Sequence, residues 1–140
     1  MAQRLIILLC FVFTVCLTVL AQSEPVLISA SIPKYPPLAC QGRVEGIVKL
    51  NFTLPAHGDE PTNVEVVSGH PMLNAAAVEN IKTWRFDNPY TVDRKYETTF
   101  KYRLSGRELP GGATKRLTVS LESFHQVEIV TDVYEPTVNY

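Results

Sequence analysis

Three histidines, Cys40 and the adjacent acids Asp59 and Glu60 are the residues of this 140-residue chain with the most obvious chemistry. A metal site needs ligands held at a short fixed spacing, such as i and i+4 on one helix face. His57, His70 and His125 fall in a turn, a strand–helix junction and the C-terminal stretch, and none has a partner at that spacing. They read as surface histidines. Asp59-Glu60 lies in the run PAHGDEP, which reads as an acidic turn and not as an acid–base pair. Gly111-Gly112 lacks the Lys-Ser/Thr that follows in a phosphate-binding loop. Cys40 has no sequence neighbour that argues for activation of its thiol. It reads as a buried thiol, with pairing to a second chain as the alternative. The expectation is therefore a protein that is not an enzyme, with no cofactor and no metal. A formal net charge of −1 also argues against an electrostatic grip on nucleic acid, and Lys115-Arg116 is only a surface pair.

What remains is recognition by shape and backbone, so the elements come next. The N-terminus, MAQRLIILLCFVFTVCLTVLAQSEP, has a basic Arg4 and an uncharged run from Leu5 to Leu20. Val19-Leu20-Ala21 supplies small or branched residues at a signal-peptidase site, so residues 1–21 read as a cleaved secretory signal. The alternative is an inner-membrane anchor over residues 5–21, short against the roughly 20 apolar residues of a relaxed span. Either reading takes the rest of the chain out of the cytoplasm. Cys10 and Cys16 lie inside that segment, which leaves Cys40 alone in the mature chain.

Pro25, Pro33, Pro36 and Pro37 make the next stretch an extended linker, assigned to residues 22–31 and running up to a single helical turn closed by Gly42. RVEGIVKLNFTL then alternates, with Val44, Gly46, Val48, Leu50, Phe52 and Leu54 on one face. TNVEVVS is a second strand with Val64 and Val66 inward, and the two read as a β-hairpin. Pro71 opens a helix, and Leu73, Ala77, Ile81 and Trp84 follow at helical spacing with Ala76 beside them. The alanines let that helix approach a sheet closely, and Trp84 and Phe86 plug the wedge where helix and twisted sheet diverge. Asn88-Pro89 forbids continuation, and Arg85 extends to water. KYETTFKYRLS is a third strand, with Tyr96, Thr98, Phe100, Tyr102 and Leu104 on one face. The fold class is α+β: a small antiparallel sheet of three or more strands in the order β-β-α-β with one helix packed on it. Pro110-Gly111-Gly112 breaks the chain. Beyond it RLTVSLES and QVEIVTDV form a possible C-terminal hairpin, and YEPTVNY a frayed end, within an extension over residues 107–140.

Five segments in order resemble the TonB C-terminal family of periplasmic domains. They are Tyr35-Pro36, Glu45-Gly46-Ile47-Val48, Asn63 to Gly69, Pro71 to Ala77, and Trp84-Arg85-Phe86. The resemblance marks residues 32–106 as the domain. It implies that a short outer-membrane receptor segment adds as a strand to the third strand, and that Pro33, Lys34, Tyr35 and Pro36 also touch the receptor. An edge strand has unpaired N–H and C=O groups that an extended peptide completes. Arg94, Tyr96, Thr98, Lys101 and Arg103 belong to the candidate edge, with the three basic residues placed to meet acidic side chains. The domain so read recognises protein or peptide segments by strand addition at the envelope. The chain departs from a force-transmitting member in its spacer. About ten residues, at about 3.3–3.6 Å each, do not cross a periplasm. It also continues past the third strand. A stand-alone exported member therefore fits better than an energy transducer coupling an inner-membrane motor to receptor transport. A structural envelope scaffold, homodimeric through edge strands or Cys40, is a further alternative. The segment Leu117 to Val133 has strand character of its own, and one expectation is that it folds back on the third strand and covers its edge in cis.

Overall fold

The longest strands explain the architecture. The computed structural model describes residues 24–109 and 116–134. The segment read as a secretory signal, the Pro110-Gly111-Gly112 break and the last six residues lie outside the described residues. In chain order the elements are β1 (Val26–Ser29), α1 (Pro37–Gln41), β2 (Gly46–Leu54), β3 (Thr62–Ser68), α2 (Pro71–Ile81), β4 (Arg85–Asp87), β5 (Arg94–Leu109), β6 (Leu117–Ser123) and β7 (Gln126–Tyr134).

The alternation of β2 is realised in full. Val48, Leu50, Phe52 and Leu54 are completely buried while Ile47 is exposed. β2 pairs antiparallel with β3 and with β5, Gly46 lying opposite Tyr102 and Leu54 opposite Arg94. Phe100 and Tyr102 thereby join the same apolar layer. β3 is less regular. Its register against β2 shifts twice, and Val66, expected inward, stays exposed opposite Leu50 because an edge strand has a neighbour on one side only.

Helix α2 begins as its sequence dictates. Pro71 occupies the first turn, and His70 is the N-cap, its Nδ1 accepting a hydrogen bond from the Met72 N–H at 3.2 Å. Leu73, Ala77 and Ile81 are fully buried, and the helix packs on β2 and β3. It stops at Ile81, earlier than the aromatic run suggests. Trp84 follows a tight turn, and Arg85–Asp87 is a strand, β4, that pairs antiparallel with β1. The segment read as a linker thus contains a strand. Trp84 and Phe86 still fill the wedge: Trp84 stacks on Phe100 at 5.8 Å between centroids, and Phe86 stacks on Phe52 at 5.8 Å. Arg85 reaches Glu60, Nη2 to Oε1 at 2.9 Å.

The C-terminal hairpin exists, and its placement changes the sheet. The order is β3-β2-β5-β7-β6. The chain leaves β5, forms β6 at the far edge, turns, and returns as β7 in the gap. β7 therefore runs parallel to β5, from Thr99 opposite Gln126 to Leu104 opposite Thr131. Val127 and Ile129 join the core, and Phe124 at the β6–β7 turn packs edge-on against Phe86, 5.3 Å between centroids.

Candidate protein-interaction site

The N-terminal arm is fastened by one side chain. Asn80 is buried on α2. Its Nδ2 donates to the Ser31 carbonyl at 2.8 Å and to Ser31 Oγ at 3.1 Å, and its Oδ1 accepts from Trp84 Nε1 at 3.0 Å. This clamp carries the arm across the helix and delivers Pro33 to Pro36. Pro33 is buried and Lys34 exposed. Tyr35 is buried, donates to the Val44 carbonyl at 2.6 Å, and sets its ring edge-on to Tyr102 at 5.4 Å. Pro36 is the N-cap of α1 and its carbonyl accepts from the Cys40 N–H.

Burial pushes the Tyr35 hydroxyl up to about 12, with the Glu45 carboxylate and Cys40 adding in the same direction. Burial raises Tyr102 as well, with Tyr35 adding to it. A raised folded-state value leaves stability intact below the ordinary tyrosine value of 10.0 and removes it as pH rises through about 12. Chemical denaturation at stepped alkaline pH is expected to show that loss, and Tyr35→Phe is expected to lessen it. A pH profile identical in the two proteins would contradict it.

Lys34, Tyr35 and Pro36 form one wall of an open groove of about 560 Å³. Met72, Ala75 and Ala76 of α2 form the second wall, and Leu117 and Thr131 of the C-terminal hairpin form the third. The small alanines leave the space there, so their role extends beyond helix–sheet approach.

The candidate edge is not an edge over most of its length. β5 lies between β2 and β7, paired with β7 from Thr99 to Leu104 and, after a register shift, again at Glu108 and Leu109. The cis-covering arrangement is the one present. Lys101 and Arg103 do meet an acid, but it belongs to the same chain: Glu128 of β7 lies 3.5 Å from Lys101 Nζ and 3.4 Å from Arg103 Nη1. Tyr96 and Thr98 point to the core, Tyr96 against Phe52 at 5.7 Å and Phe124 at 5.6 Å, and Thr98 fully buried. Thr98 has no exposed side chain, whereas Tyr96 stays half-buried. Arg94 sits over the Tyr90 ring at 3.7 Å. The short stretch before Thr99 is partly occupied too, because His125 Nδ1 lies 2.9 Å from the Glu97 carbonyl.

Seven of the nine candidate residues divide among three places, while Pro33 is buried in the arm and Arg94 sits over Tyr90. Lys34, Tyr35 and Pro36 face the groove. Lys101 and Arg103 share the open face of the sheet with Glu128. Thr98 is core, and Tyr96 packs half-buried against that core. Glu128 and Phe124 were missed as members of this region. The alternation of QVEIVTDV announces a strand but says nothing of which strand it joins. Cys40 is on the buried face of α1, its Sγ 3.8 Å from the Asp132 carbonyl of β7. A disulfide to a second chain would need that burial undone.

A docked arm, a β-hairpin crossed by one helix and a long third strand define a small α+β domain. Residues 31–104 match the family described as the C-terminal domain of Gram-negative bacterial TonB protein, and the chain belongs to that family. It is thus a TonB-like protein-interaction domain of the cell envelope. The solution NMR structure of the Pseudomonas aeruginosa TonB C-terminal domain is 26% identical and covers 59% of this chain and 88% of that chain, with a TM-score of 0.48. No curated protein matches the chain. The family match ends at Leu104, so β6 and β7 lie beyond it.

Proposed function

We propose that this domain acts in the periplasm by exchanging its own strand β7 for an extended segment of another envelope protein. The parallel β5–β7 ladder carries this reading, because a strand from outside the family's segment occupies the place an incoming strand would take. Simple addition to β5 is blocked. Phe124, Val127 and Ile129 are buried, and each such side chain is worth about 1.5–3 kcal/mol. A partner must therefore replace what β7 supplies: branched apolar residues on the core side and a carboxylate facing Lys101 and Arg103. Exchange of like for like keeps the overall change small although each half-step is costly.

The test uses a synthetic peptide of residues 126–133, QVEIVTDV. Lys101 and Glu128 are directly paired, so Lys101→Cys with Glu128→Cys places a disulfide that locks β7 in position. Titration calorimetry is expected to show peptide binding to the reduced protein, and a loss of at least about tenfold, or about 1.4 kcal/mol, on oxidation. Equal binding by locked and unlocked protein sinks the exchange reading.

A further inference from the structure

Closing β5 leaves the open edges of the sheet, among the described residues, at β3 and β6. The two differ in how they are guarded. β3 has two register shifts against β2, a left-handed Asn63 (φ 48°) and Glu65 at its centre. Antiparallel pairing with its own copy would set Glu65 opposite Glu65, and like charges directly opposite are destabilising. β6 is guarded less: its one register shift against β7 falls near its end, between Leu121 and Ser123, and it has neither a left-handed residue nor a charge at its centre. Its register against β7 is regular from Leu117 to Leu121, and its central residue is Ser120.

β6 also has an uncovered apolar side. Leu117, Val119 and Leu121 lie opposite Thr131, Ile129 and Val127, so they face the helix side of the sheet. Yet Leu117 is 43% and Leu121 48% exposed. Leu117 borders the groove whose other walls are α2 and the Tyr35-Pro36-Pro37 segment. An added strand would lie along this border, with its core-side residues over the groove.

We infer that the chain forms a homodimer through antiparallel β6–β6 pairing about Ser120, which joins two five-stranded sheets into one. The strand is complementary to itself in this register. Val119 falls opposite Leu121, Leu117 opposite Ser123 and Thr118 opposite Glu122, so no like charges meet. Glu122 and the copy's Arg116 are diagonal neighbours on the other face, where long side chains of opposite charge reach one another. The two-fold axis stands perpendicular to the sheet and puts both apolar strips on the same side. Each copy's Leu117 and Leu121 then cover the other's, and the two grooves lie on one face of the dimer.

The test is sedimentation equilibrium on the purified chain and its variants. Wild type is expected to dimerise reversibly. Leu121→Lys places a charge among the apolar residues and is expected to weaken the dimer by about tenfold or more. Glu122→Arg is expected to weaken it by about threefold to tenfold, and adding Arg116→Glu is expected to restore it. Ser120→Cys brings two thiols together at the axis and is expected to give a disulfide-linked dimer on a non-reducing gel, whereas Thr62→Cys on β3 is not. Circular dichroism of each variant reports whether it folds. A chain that stays monomeric at millimolar concentration overturns the inference. So does a dimer indifferent to Leu121→Lys, or one that the charge swap fails to restore.

Discussion

Replacing Trp84 with alanine is expected to cost about 3–5 kcal/mol, the range for removing a large buried aromatic. Trp84 is 1% exposed. It stacks on Phe100, sets its edge to Phe52 at 6.2 Å and leans on Phe86 at 6.0 Å. It therefore touches β2, β4 and β5 from the position just before β4. Its indole N–H also satisfies Asn80 Oδ1, so the substitution leaves a buried acceptor unmet in addition to a cavity. Domains of this size hold about 5–15 kcal/mol in all, so the variant should lie near the unfolding threshold. Urea denaturation followed by far-ultraviolet circular dichroism measures the loss directly. A cost below about 1 kcal/mol would mean that the wedge between helix and sheet is filled by something else.

The second large effect concerns the C-terminal hairpin. Phe124→Ala is also expected to cost about 3–5 kcal/mol, although Phe124 lies outside the family's own segment. Its ring sits edge-on to Phe86 at 5.3 Å and to Tyr96 at 5.6 Å, and lies 6.5 Å from Phe52. It joins the aromatic cluster that Trp84 closes from the helix side. Were the hairpin a loosely attached cap, its removal from that cluster would cost a few tenths of a kcal/mol, as for a surface change. The measurement therefore separates an integral strand pair from an appendage. Hydrogen exchange adds location. Amides of β7, and of β5 from Thr99 to Leu104, should lose protection first, while β2 amides paired with β5 should keep theirs longer. Uniform loss across the sheet would show that the two regions unfold as one unit.

The strand exchange proposed for binding draws on the same energy. A partner strand without residues equivalent to Val127 and Ile129 cannot displace β7, because nothing would offset the apolar surface returned to water. Selectivity then follows from the chemistry of β7, with Glu128 setting the acidic position and its two basic partners on β5 reading it.

Much of the domain follows from local pattern. The alternation in β2 and β5 and the helical spacing of Leu73, Ala77 and Ile81 each report one face against water. That face is a property of the segment itself. The start of α2 at Pro71 and the single turn of α1 are likewise local, set by backbone geometry. Trp84-Arg85-Phe86 is less legible. Trp84 continues the helical spacing of Ile81, and only pairing with β1 makes Arg85–Asp87 a strand. β1 itself is hidden among prolines, with no apolar alternation that survives its short length.

The sequence alone determined β2, β3, β5 and the C-terminal hairpin, the helix of Pro71, most of the core residues on them, and the family. The tertiary structure decided which backbone edges remain open. Alternation in QVEIVTDV specifies two faces, but both sides of a strand have hydrogen-bonding groups that are chemically alike, so nothing in the pattern names a neighbour. That choice rests on loop reach and on Phe124 finding room beside Phe86 and Tyr96. These are relations between residues far apart in the chain, and they place β7 on β5 and leave β6 at the rim.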